Sequence, residues 1–126
     1  VIPPQNKSGN RNRQKTESNM DFTLLEKAIL DWIADRSDNA EIRMQIRSAY
    51  PAERELTGTG SFTKLAVPPH VPKTDAKVSM DPNIESDEWD ASGGCVLFMV
   101  DGKIDTLEIY TFGEQFEPNI KSWKLT

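Results

Sequence analysis

The chain is poor in the residues that build most reactive centres: its 126 residues include one cysteine and one histidine. A lone cysteine excludes an intramolecular disulfide and any zinc site built on cysteines. Long apolar runs are missing as well. The longest, Cys95–Val100, has six residues, against the roughly 20 that a membrane-spanning helix requires. No positively charged start leads into an apolar stretch, so the pattern of a retained signal peptide is absent. Basic residues are outnumbered, 15 Lys and Arg against 20 Asp and Glu, for a formal charge of -5. These deficits predict a cytoplasmic protein with no membrane contact, no metal and no cofactor, of a length suited to one domain.

What is present is unevenly spread. Residues 1–19 hold no aromatic residue and two aliphatic ones, Val1 and Ile2. That is too little apolar surface to offset the cost of ordering them. Lys7, Arg11, Arg13 and Lys15 against Glu17 give this stretch +3, which leaves -8 for residues 20–126. The stretch reads as a disordered basic leader, a segment upstream of a natural start at Met20, or a vector-derived addition. Four spread charges are a weak nucleic-acid signal, and a tail without function is the favoured expectation.

From Asp21 the pattern turns helical. Phe22, Leu25, Ile29, Trp32 and Ile33 form one apolar stripe, widened by Leu24 and Ala28. Thr23 and Glu26 have capping-box spacing. The polar turn Asp35–Asn39 follows, and Asp38 with Glu41 repeats the cap spacing before Ile42 and Ile46. Tyr50-Pro51 ends this second helix, because proline pushes its predecessor out of the helical region.

Beyond it the chain reads as strands. Segments 53–57 and 61–67 flank a glycine-containing turn, and Pro68, Pro69 and Pro72 then hold an extended connection. A short strand is expected near Lys77–Met80. The run Cys95–Val100 predicts a central strand buried on both faces, and Asp101-Gly102 is a strong hairpin signal. In the return strand, 103–112, Leu107, Ile109 and Thr111 share one side; Ile104, Thr106, Glu108, Tyr110 and Phe112 share the other. A last strand at 120–125 is expected to pair next to it. The fold class is therefore α+β: an N-terminal helical hairpin packed on a mostly antiparallel sheet of four to six strands, residues 20–126 forming one domain.

Candidate sites are weak. His70 lies in a loop held extended by prolines, with no nucleophile beside it. Cys95 opens an apolar strand, where cysteine behaves as a small hydrophobe. Thr57-Gly58-Thr59-Gly60-Ser61 lacks the lysine and following helix of a phosphate loop. Between residues 75 and 90 the charge is acidic, without the ligand spacing of a calcium loop. Within it Asp87, Glu88 and Asp90, together with Arg54 and Glu114, are candidate partner-binding residues. Glu55, Glu108 and Tyr110 are candidate catalytic residues, since a carboxylate among aromatics can act as a general acid or base. The competing reading of Glu108 is a cross-strand ion pair with an arginine such as Arg54, or a solvated sheet face.

Two stretches carry a resemblance. One is Arg54-Glu55-Leu56-Thr57-Gly58-Thr59-Gly60-Ser61-Phe62-Thr63. The other joins Gly94–Phe98, Asp101-Gly102 and Leu107-Glu108-Ile109-Tyr110-Thr111-Phe112-Gly113-Glu114. Together they resemble a family of small uncharacterised bacterial α+β proteins, over about residues 20–117. The resemblance implies a helical pair, an R-E-x-T-G-x-G junction and a D-G hairpin followed by L-E-x-Y-T. By analogy with short accessory proteins it suggests partner-binding or toxin-neutralising roles. Three function classes are carried forward. The leading one is a non-enzymatic module that binds a protein, basic in character. The second is a small hydrolase or lyase-like enzyme with its pocket between the sheet face and the proline-rich loop. The third is a homodimeric interaction protein. Nucleic-acid binding by a -8 surface is disfavoured.

Overall fold

Thr23 caps the first helix. Its hydroxyl accepts from the backbone N–H of Glu26 at 3.0 Å, and the Glu26 carboxylate accepts the Thr23 N–H at 2.9 Å, closing a capping box. The computed structural model describes residues 20–126; the expectations for residues 1–19 lie outside the described residues. Helix α1 spans Leu24–Arg36 and helix α2 Ala40–Ser48. Asn39, rather than Asp38, caps α2, its side-chain oxygen accepting from the N–H of Ile42 at 2.8 Å. The α1 stripe is also rotated from the expected one. Leu25, Ile29 and Ile33 are buried, but the stripe widens through Glu26, Leu30 and Ala34, whereas Leu24 is exposed.

Six strands follow: β1 Tyr50–Leu56, β2 Gly60–Ala66, β3 Asn83–Glu85, β4 Gly93–Val100, β5 Lys103–Thr111 and β6 Lys124–Leu125. They form one sheet in the order β1-β2-β5-β4-β3-β6, every pairing antiparallel. The α+β class holds. Pro51 lies inside β1, next to a register shift between Pro51 and Glu53. An edge strand tolerates this because proline has no N–H to give the ladder.

Leu65, Leu107, Ile109, Cys95 and Leu97 turn to the inner face and join Leu25, Ile29, Ile33, Ile42 and Ile46 in one core. Four sequence expectations fail here. No strand forms at 77–80; the short strand is β3. The last strand covers Lys124–Leu125 only, and it pairs with β3 at the far edge rather than with β5. β4 is central but buried on one side: Cys95 and Leu97 are buried, while Phe98 and Val100 are exposed. Ile104 joins the core face, because the β4–β5 register shifts between Phe98 and Met99, leaving Asp105 as an extra, bulged residue. Asp101 and Gly102 turn the hairpin with φ of 52 and 82, the positive values a type I′ turn demands.

The proline-rich connection is tied to the helix side and to the hairpin tip. Gln45, fully buried in α2, donates to the carbonyls of Pro72 (2.8 Å) and Gly102 (2.9 Å) and accepts from the N–H of Ile104 at 2.9 Å. The N–H of Thr74 donates to Gly102 O at 3.0 Å. These bonds leave the outer face of the sheet open among the described residues.

Candidate functional site

Strand parity divides the candidate residues between two environments. Arg54 points inward from β1, opposite Thr63, while Glu53 and Glu55 point outward. The expected ion pair between Arg54 and Glu108 does not form, because the two side chains leave the sheet on opposite faces. Arg54 instead reaches Glu26 on α1. Its Nε donates to one carboxylate oxygen at 2.9 Å, its Nη2 donates to the other, and the same Nη2 donates to Asp21 O at 3.0 Å. Thr63 Oγ1 adds a 2.6 Å bond to Glu26. Glu26 is 1% exposed, so the carboxylate end of this bidentate pair is buried, with both oxygens satisfied, while Arg54 reaches in from the edge of the core. It joins α1 to β1 and β2 and presents no free group to a substrate.

Half of the carboxylates in the acidic stretch, Asp81, Glu88 and Asp90, are also spent on the chain itself. One Glu88 carboxylate oxygen accepts the N–H groups of Lys121 (2.8 Å) and Ser122 (2.7 Å). Asp90 accepts the N–H of Glu114 at 3.1 Å. Trp89 donates its indole N–H to Glu117 O at 3.0 Å and packs on Phe116 at 5.5 Å between ring centres. Together they hold the C-terminal segment beside β3. Asp87 and Glu114 are exposed at the surface. Asp81 caps the open edge of β4 by accepting the N–H of Leu97 at 3.1 Å. Burial raises the Asp81 carboxyl above its ordinary value, against that hydrogen bond. Cys95 lies beside it, its thiol against Pro82 O at 3.4 Å; burial first, and the Asp81 charge second, push it up to about 12. Such a thiol is a core filler, not a nucleophile.

The remaining candidates meet on the outer face. Cross-strand pairing lines up Glu55, Phe62, Glu108 and Val96 in one row over β1, β2, β5 and β4. The adjacent row is Glu53, Lys64, Thr106 and Phe98; the row on the other side contains Gly60, Tyr110 and Gly94. The Tyr110 ring lies over Gly94, its hydroxyl 2.5 Å from where a Cβ would stand, and meets Phe112 edge-on at 5.5 Å. Phe62, Phe98, Val100 and Phe112 are exposed at 39%, 44%, 52% and 73%. Lys64 pairs with Asp105 at 3.5 Å. Among the described residues, Glu53, Glu55 and Glu108 have no ion-pair partner. A shallow depression of about 340 Å³ lies at the β1–β2 end, lined by Glu53, Glu55, Phe62, Lys64 and Thr106.

Thus Glu55, Glu108 and Tyr110 do share a face, but it is open. The proline-rich loop that was to wall a pocket over them is bonded to α2 and the hairpin tip. Sequence reasoning missed Glu26 and Gln45 as buried polar links. The one available signal for Glu26 was its place in the capping box, which fixes its backbone but says nothing of its neighbour across the fold. Phe62 and Phe98 were missed as surface groups, since both lie in strands whose apolar residues read as core.

The fold and this face define an open-faced α+β protein: a six-stranded antiparallel sheet with helices on one side and an aromatic, carboxylate-edged surface on the other. Among the described residues no group of acidic, histidine or cysteine side chains is arranged to hold a metal ion, and no helix is long and apolar enough to cross a membrane. No family model matches the chain, nor does any curated protein or solved structure.

Proposed function

We propose that the chain is a non-enzymatic protein-binding module that docks a basic partner on the outer face of its sheet. The observation that carries this reading is the open row structure of that face, where exposed aromatics alternate with carboxylates free of cations among the described residues. Contiguous exposed apolar side chains rimmed by charge are the usual mark of an interaction surface. The charge of -8 over residues 20–126 favours a basic partner through steering and complementarity. Carboxylates among the aromatics repel phosphates, which argues against stacking of nucleic-acid bases. The enzyme reading loses support because, among the described residues, Glu55 and Glu108 flank an open ring with no wall to exclude water. Edge-strand self-association is opposed by Pro51 and the bulge in β1. Kinship with the small bacterial proteins that carry the same junction and hairpin motifs belongs to this proposal, as does a cytoplasmic location, which the low cysteine usage supports.

The test is a titration of the full chain, followed by amide NMR at low salt, with basic amphipathic peptides. Chemical-shift changes gathered at Phe62, Phe98, Glu108 and Tyr110 are the expected result. A flat titration at low salt, or shifts gathered on the helices, refutes it.

A further inference from the structure

The register of the outer face carries a more specific reading, which rests on the docking function proposed above. Phe62 has Glu55 directly opposite on one side and Glu108 directly opposite on the other. Direct cross-strand neighbours have Cβ atoms about 5 Å apart, so one exposed ring is bracketed by two carboxylates within side-chain reach. The only nearby cation in the two adjacent rows, Lys64, is engaged by Asp105. The depression beside Phe62 opens on its Glu55 side, lined also by Glu53, Lys64 and Thr106, and Glu108 stands across the ring from it.

The geometry points to a seat for an arginine side chain of the partner: the guanidinium lies flat on Phe62, with Glu55 and Glu108 accepting its N–H groups at either edge. Arginine suits this place better than lysine. Its cation is planar, weakly hydrated and forked, so it can stack on a ring and bond a carboxylate at the same time. A lysine ammonium would have to choose between them. Beyond Glu108, Val96 continues the same row and Phe98 the adjacent one, and these take apolar residues farther along the partner. A second copy of this chain is a poor occupant, since a two-fold pairing of these faces sets carboxylates against carboxylates.

The experiment uses the full chain and three peptides of alternating leucine with arginine, lysine or citrulline, measured by calorimetry and amide NMR at low salt. The arginine peptide is expected to bind roughly threefold to fivefold tighter than the lysine peptide, the citrulline peptide weakest. Phe62→Leu keeps an apolar surface but removes the ring, and is expected to erase the arginine-over-lysine preference. Glu55→Gln with Glu108→Gln should weaken the arginine peptide while the fold, read by circular dichroism, stays unchanged. Equal binding of arginine and lysine peptides on this face, or indifference to the Gln pair, overturns the arginine seat and leaves the docking reading standing. Failure of every peptide to bind overturns both. So does a single-stranded oligouridine that shifts Phe62 and Phe98, or a concentration-dependent dimer formed through this face. Contacts between Arg11 or Arg13 and Phe62 in the free chain would make the occupant the chain's own leader and overturn a separate partner.

Discussion

Replacing Arg54 by methionine tests the claim that this arginine is a core strut rather than a surface binding residue. The Arg54 side chain is 18% exposed and the Glu26 side chain 1% exposed, so the variant strands a carboxylate that keeps only the Thr63 hydroxyl and the Thr23 N–H as donors. Removing one partner of a buried pair costs about 3–5 kcal/mol, well above the ~0–1 kcal/mol of an exposed pair. Urea denaturation reads this as a fall in midpoint at unchanged slope. For a folded region of this size the same loss lowers Tm by at least about 12 °C, taking about 4 °C per kcal/mol. Converting both partners, Glu26→Leu with Arg54→Met, should recover most of the loss, because no unpaired charge remains buried. The double-mutant cycle should then return a coupling above ~1 kcal/mol. An Arg54→Met cost below ~1 kcal/mol, or a double variant worse than either single one, would refute the reasoning.

Three other outcomes follow from the same structure. Leu107→Ala, at a fully buried site, should cost about 2–5 kcal/mol in urea melts, whereas Phe98→Ser on the open face should change stability by less than ~1 kcal/mol; similar losses would mean that the outer face is covered. Gly102→Ala should destabilise by about 1 kcal/mol or more, since φ is 82 and a Cβ would press on Lys73 and Thr74; an unchanged melting temperature would argue against the positive-φ turn. Asp81 has its carboxyl raised, so the folded state holds that proton more tightly than the unfolded chain does. Its contribution is therefore present below the ordinary value of 3.8 and is lost as pH rises through the higher folded value. Relative to Asp81→Asn, the native chain should lose stability as pH climbs from below 3.8 toward neutrality, measured by urea midpoints along the way; a constant difference would refute this.

Much of the fold was legible in local chemistry. Thr23 with Glu26 announced the first helix, Asp101-Gly102 announced the hairpin, and alternation put Leu107 and Ile109 on one side with Glu108 and Tyr110 on the other. These signals are readable because capping, positive φ and the two-residue period depend on neighbours in the chain. The errors fell where a distant neighbour decides. Ile104 changed face because of one extra residue at Asp105, and alternation counts residues without seeing a bulge. Cys95–Val100 read as buried on both sides because composition reports that side chains are apolar, not whether anything is there to cover them.

For the same reason the candidate site was half visible. Alternation and composition alone put Glu108 and Tyr110 on a shared face and make the chain acidic and poor in reactive groups. Strand order and packing were needed to assign Arg54 to Glu26, to set Glu88 and Asp90 on backbone N–H groups, and to bring Glu55, Phe62 and Glu108 into one open row. Pairings of this kind join residues some tens of positions apart, 28 between Glu26 and Arg54, and are set by strand order and register. Those follow from the packing of the whole core, a property that no short stretch of sequence contains.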